Sequence, residues 1–290
     1  RFEDGELRTF KKGFYDFLSP VDPDRDDLDD VFSSLCDEHE QVVAERRAEQ
    51  ARADKPPVMS FADQVAVFAQ LYPDGFQDPA YIDAFRGTAG GSYSKRQVDE
   101  EIGMAAGTLS RSVLREQIAS GEYASVVASM LAILERTMLV KPNAGRRPMA
   151  EVSDPEHQKE LAVGLYALLY GEERYRKRFK TWVEVLKHTL GQEPTWAMAT
   201  LFPALVFPDK HVCVKRRVFV LQALEVKPGA TVPKAINRRG YRRSRRIAKR
   251  VEQLLVEAGL QPRDLLDVRR FVWDTLRPKG QQILGELNKR

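Results

Sequence analysis

The chain has 290 residues, of which 43 % are hydrophobic and 30 % charged, and its 46 Lys and Arg against 42 Asp and Glu give a formal charge of +4. One large core or two modest ones fit that length. The longest mostly apolar run, Trp196 to Phe207, is too short to span a bilayer, and the two cysteines, Cys36 and Cys213, exclude a disulfide framework.

The charge changes sign along the chain. Residues 1–60 hold sixteen Asp and Glu against nine Lys and Arg, including the run Asp22, Asp24, Asp26, Asp27, Asp29, Asp30. That run is either an acidic face for a partner, which could be the basic C-terminal segment, or a solvated helix start. Between Lys210 and Arg250 fourteen Lys and Arg stand against one acid, Glu225. The first residue is Arg, which reads as a true start missing or trimmed.

Helical periodicity dominates. Leu7, Phe10, Phe14 and Phe17 have 3–4–3 spacing, and a second helix is expected from Leu28 to about Arg52. Ser60 with Asp63 predicts a capping box for Phe61–Leu71, and Asp78-Pro79 predicts a short helix stopped by Gly87. Gly87 to Ser92 lacks the Gly-Lys-Ser/Thr ending of a phosphate loop and reads as a connector. Helices follow at about 95–106, 109–119 and 122–139, then a break at 141–148. Asp154-Pro155 opens a helix ending at Gly171, with an antiparallel neighbour over 172–190. Gly240–Ala258 and Pro262–Leu276 are the last strong helices, and Val212-Cys213-Val214 and Val218-Phe219-Val220 are the strand candidates. The expected fold is all-α with two helical lobes and no substantial sheet. Its parts are acidic helices over 1–57, an N-terminal lobe over 58–145 and a C-terminal lobe over 146–290.

Four landmarks carry a resemblance. They are Tyr72-Pro73-Asp74-Gly75-Phe76 through Tyr81, Leu165-Tyr166 through Gly171 with Arg178-Phe179 and Trp182, Thr195-Trp196 through His211, and Pro262 through Val268 with Phe271-Val272-Trp273. In this order they resemble an uncharacterised bacterial family of all-helical proteins over about residues 60–276. The family implies a fold and not a reaction. Locally, Phe207-Pro208-Asp209-Lys210-His211-Val212 is similar to the Asp-containing turn of helix–hairpin–helix DNA glycosylases. The upstream Leu190-Gly191-Gln192-Glu193-Pro194 lacks that family's Gly-x-Gly, and no Lys occupies its nucleophile position.

That resemblance makes Asp209 the catalytic candidate, stabilising an oxocarbenium-like sugar or activating water, with His211 as base or phosphate donor. The alternatives are an N-cap for Asp209 and a core-edge role for His211. Asp264 and Asp267, at i and i+3, either share a proton or metal or complement a helix dipole. His39, His157 and His188 show no ligand spacing, so neither a metal nor a cofactor is expected.

The basic segment points to nucleic acid, with DNA the first expectation. The phosphate-binding candidates are Lys215, Arg216, Arg217, Arg238, Arg239, Arg242, Arg243, Arg245, Arg246, Lys249 and Arg250. Positions 239, 242, 243, 246, 249 and 250 fall on one helical face, with no acid between residues 238 and 250 to pair with them. Tyr241 either stacks on a base or packs in the core. The competing reading is a non-catalytic subunit of a larger assembly, docking through its acidic and basic regions. The expected location is cytoplasmic, from the cysteine usage.

Overall fold

The computed structural model describes residues 59–87 and 97–289, together with the backbone of three short strands before them. The chain divides into two compact units, one of residues 1–58 with 227–230 and one of residues 59–226 with 231–290.

In the first unit, β1 (Phe2–Glu3), β2 (Glu6–Arg8) and β3 (Leu18–Pro20) form an antiparallel meander in which Leu7 faces Ser19. Leu7 therefore does not belong to the helical face expected with Phe10, Phe14 and Phe17. Those three lie outside the described residues, as do the acidic run, the helix expected over 28–52, His39 and most of the 87–92 connector.

The second unit is all-α. Its helices are α1 (Phe61–Leu71), α2 (Pro79–Tyr81), α3 (Val98–Thr108), α4 (Arg111–Ala119), α5 (Tyr123–Arg136) and α6 (Arg146–Ala150). Then come α7 (Pro155–Tyr170), α8 (Tyr175–Thr189), α9 (Trp196–Val206) and α10 (Arg216–Val226). The last are α11 (Arg238–Glu257), α12 (Leu265–Leu276) and α13 (Pro278–Leu287). The capping box at Ser60 and Asp63 is formed, and Asp78 and Asp154 accept the second backbone N–H of α2 and α7.

The most apolar segment becomes the central helix. Every residue of α9 from Trp196 to Leu205 is buried, as expected of a helix that is apolar all round. Pro203 has no N–H to offer the carbonyl of Ala199, and the Trp182 indole N–H donates to that oxygen instead, at 3.2 Å. Beside α9 runs the buried segment Val212-Cys213-Val214, where Val214 N–H donates to Thr200 Oγ1 at 2.9 Å. It forms no strand, and the other strand candidate, Val218–Val220, lies within α10.

α7 and α8, joined by a short loop, pack along each other. Gly164 allows the approach, since a Cβ there would sit 3.2 Å from Val185. Beneath α12 lies an aromatic cluster in which Phe68 touches Tyr72, Phe76, Tyr81 and Phe271. Buried residues from both sides of the 141–153 break belong to one core.

Candidate nucleic-acid interface

α11 begins with Asn237 as its N-cap, Oδ1 accepting from Gly240 N–H at 2.8 Å. Its inner face buries Tyr241, Ser244, Ile247, Ala248, Val251 and Leu255, which fixes the rotation of the helix. Arg238, Arg239, Arg242, Arg246, Lys249 and Arg250 are consequently exposed, and Arg243 and Arg245 half-buried.

These cations are not equivalent. Lys249 pairs with Glu252 at 2.7 Å and Arg250 with Glu257 at 3.6 Å, acids supplied by the same helix beyond the basic run. The expectation that the stripe lacks local counter-ions is corrected for these two positions. Arg242 and Arg243 are also engaged within the chain. Arg238, Arg239 and Arg246 have no carboxylate partner among the described residues.

Tyr241 settles into the core. It stacks on Phe179 with ring centroids 4.6 Å apart, and its hydroxyl lies 3.0 Å from His211 Nδ1. Arg174 and Arg176 of the neighbouring stretch are exposed beside Tyr175, whose ring lies 5.8 Å from that of Tyr241. Nothing in the local sequence joins them to α11, which lies more than sixty residues further along the chain.

The candidate catalytic pair is placed differently from expectation. Asp209 is exposed in the turn 207–210 that follows α9, and the next helix starts at Arg216, so it is not at a helix N-terminus. That turn is closed by His211 N–H donating to Phe207 C=O at 2.9 Å and is tied to α12 by Leu265 N–H donating to Pro208 C=O at 3.1 Å. His211 is 8 % exposed and packs on Tyr175 at 4.4 Å. Burial, with Arg245, Arg178 and Lys210 nearby, lowers its pKa to about 3, so it stays neutral at physiological pH. A phosphate-donating imidazolium is therefore not available.

The His211 shift predicts an acid-sensitive fold. The unfolded His takes a proton near pH 6.5 and the folded one near 3, so stability is held above pH 6.5 and lost as pH falls through that window. One such group removes about 2 kcal/mol between pH 7 and 5. Urea denaturation at both pH values should show this loss in the wild type and its near absence in His211→Phe.

Lys215, Arg216 and Arg217 belong to a second feature, a cleft of about 410 Å³ that they line with Lys141 and Lys234. The first turn of α9 also contributes, and Arg216 Nε donates to Val232 C=O at 3.1 Å. Lys215 Nζ lies 5.3 Å from the Trp273 ring centroid. Burial, then the nearby Arg269 and Lys141, lowers the Lys215 pKa. Lys141 and Lys234 come from loops nearly a hundred residues apart, which no local pattern could have joined.

His157 and His188, far apart in sequence, meet across α7 and α8 with centroids 5.1 Å apart. His188 lies 2.7 Å from Glu160, yet no cluster of three metal-ligating side chains occurs among the described residues. Cys213 is buried, and burial raises its thiol pKa. No helix among the described residues is long and apolar enough to cross a membrane. Comparisons with family models, curated proteins and solved structures gave no match.

Proposed function

We propose that this protein binds nucleic acid, holding backbone phosphates on the exposed face of α11 and on Lys215, Arg216 and Arg217. The observation that carries the reading is the set Arg238, Arg239 and Arg246, exposed on one helix and without a carboxylate partner among the described residues. Crowded guanidinium groups repel one another, and a row of phosphates relieves that repulsion while releasing condensed counter-ions. Burial of Tyr241 takes away the stacking platform within α11, which favours contact with the backbone over base readout.

Fluorescence anisotropy with labelled duplex DNA, across about 50 to 200 mM salt, tests this. Affinity should fall steeply, and Arg239→Gln/Arg246→Gln should reduce the log–log salt slope by about 2. A flat salt response, or an unchanged slope in the double variant, would remove the proposal. In that event gel filtration before and after nuclease treatment would ask whether the basic face docks a protein.

A further inference from the structure

We propose that the cleft lined by Lys141, Lys215, Arg216, Arg217 and Lys234 is a site for a single nucleotide unit carrying a phosphomonoester. The nucleotide is either free or the end of a strand held on α11, and the second source rests on the nucleic-acid reading above.

Charge is the first argument. The five cations have no carboxylate partner among the described residues. One acid, Glu193, also lines the cleft, but it is paired with Lys187. The cleft thus concentrates positive charge that the described residues do not neutralise, and the first turn of α9 adds the positive end of a helix dipole. A phosphomonoester carries up to two negative charges at neutral pH, against one for an internal diester, so it gains most from such a field.

The walls supply the second argument. Between the cationic heads the lining is apolar, from Leu139, Pro194, Trp196, Val214 and Ile236. Inorganic phosphate would leave those surfaces uncovered, whereas a base and sugar cover them. The volume lies within the range of about 300–1,000 Å³ usual for small-molecule sites.

Position is the third. Lys234 and Ile236 on the cleft wall run directly into Arg238 at the start of α11. Trp196 fastens the junction, its indole N–H donating to Pro233 C=O at 2.9 Å. A strand lying on α11 would therefore have its end near the cleft.

The test uses the full chain in three forms: wild type, the cleft variant Lys141→Gln/Lys234→Gln and the stripe variant Arg239→Gln/Arg246→Gln. All four side chains are exposed, so each variant should retain the wild-type melting temperature. Calorimetric titration with adenosine 5′-monophosphate, adenosine and inorganic phosphate probes the free nucleotide. Anisotropy with oligonucleotides ending in 5′-phosphate, 3′-phosphate or hydroxyl probes the strand end.

The wild type should prefer the phosphorylated ligand at least about ten-fold in one of the two arms, a preference lost in the cleft variant and kept in the stripe variant. Preference for the monophosphate alone identifies a free nucleotide, and preference for a phosphorylated terminus identifies a strand end. Equal binding of phosphorylated and unphosphorylated ligands in both arms overturns the proposal, as does a preference that survives in the cleft variant. An unchanged salt slope in the stripe variant, with monophosphate binding intact, removes the α11 reading while leaving the cleft.

Discussion

Replacing Arg86 with Met should destabilise the protein by about 3–5 kcal/mol, the usual loss when one partner of a buried ion network is removed. Arg86 is 1 % exposed and holds three carboxylates. Nη2 donates to Asp264 Oδ1 at 2.6 Å, Nη1 to Asp264 Oδ2 at 2.9 Å, and Nε to Asp267 Oδ1 at 2.7 Å, while Nη1 also reaches Asp99 at 3.1 Å. Asp264 is at the same time the N-cap of α12, accepting from Leu266 and Asp267 N–H. Asp267 accepts further from Tyr81 Oη and Arg263 N–H. The guanidinium thus ties the wide turn Ile82–Arg86 to the start of α12, and Met would leave two buried carboxylates facing apolar surface.

The deficit should depend on pH with a definite sign. Burial pushes the Asp267 carboxyl up, and the Arg86 charge and the Tyr81 hydrogen bond hold it down. Without Arg86 the folded pKa rises further above the unfolded one. An acid raised in the folded state is least costly below its unfolded pKa, and the cost grows as pH rises through the folded value. The gap between variant and wild type, measured by urea denaturation, should therefore narrow from pH 7 towards pH 4. A loss under about 1 kcal/mol at pH 7 would mean that water reaches the carboxylates, and the lock would then be peripheral to stability.

This lock also marks where sequence reading stops. Asp264 and Asp267 were visible as an i, i+3 pair, and the helix-dipole role is met by the Asp264 cap. Their principal partner lies 178 and 181 residues away, beyond any local pattern. What was legible is local in cause. The Ser60–Asp63 box, the Asp154-Pro155 start and the Gly171 stop depend on neighbours within a turn, and those helix ends are where the sequence places them. Asp209 shows the opposite case. Proline before aspartate suits a helix start, yet Phe207 C=O accepts from both Lys210 and His211 N–H and closes a turn. α13 was overlooked although Pro278 at its first turn was a usable signal, because its apolar residues Ile283, Leu284 and Leu287 are only partly buried. The cationic face of α11 was legible from spacing alone. The carboxylates that occupy Lys249 and Arg250 were misjudged because the window ended at residue 250.

Gly240→Leu should separate the two proposed anion sites. The glycine stands in the first turn of α11, where a Cβ would lie 2.8 Å from the Pro233 ring and 2.9 Å from Trp196. Neither neighbour is the free end of a flexible chain, so the 232–236 segment or the helix must move. Overpacking of this kind costs about 1–3 kcal/mol, more than the fraction gained in helix propensity over glycine. The movement would break the Trp196–Pro233 hydrogen bond and displace Lys234, so nucleoside monophosphate binding should fall at least about ten-fold. Residues beyond the first turn stay anchored by Ile247, Val251 and Leu255, which keeps Arg246 in place, so that even with Arg238 and Arg239 shifted the salt slope for duplex DNA should fall by less than the roughly 2 expected of Arg239→Gln/Arg246→Gln. Gly240→Ala should show the same pattern with smaller losses. Equal weakening of both ligands would mean that α11 and the cleft move as one body and form one site, whereas unaltered monophosphate binding would show that the 232–236 wall does not shape the cleft.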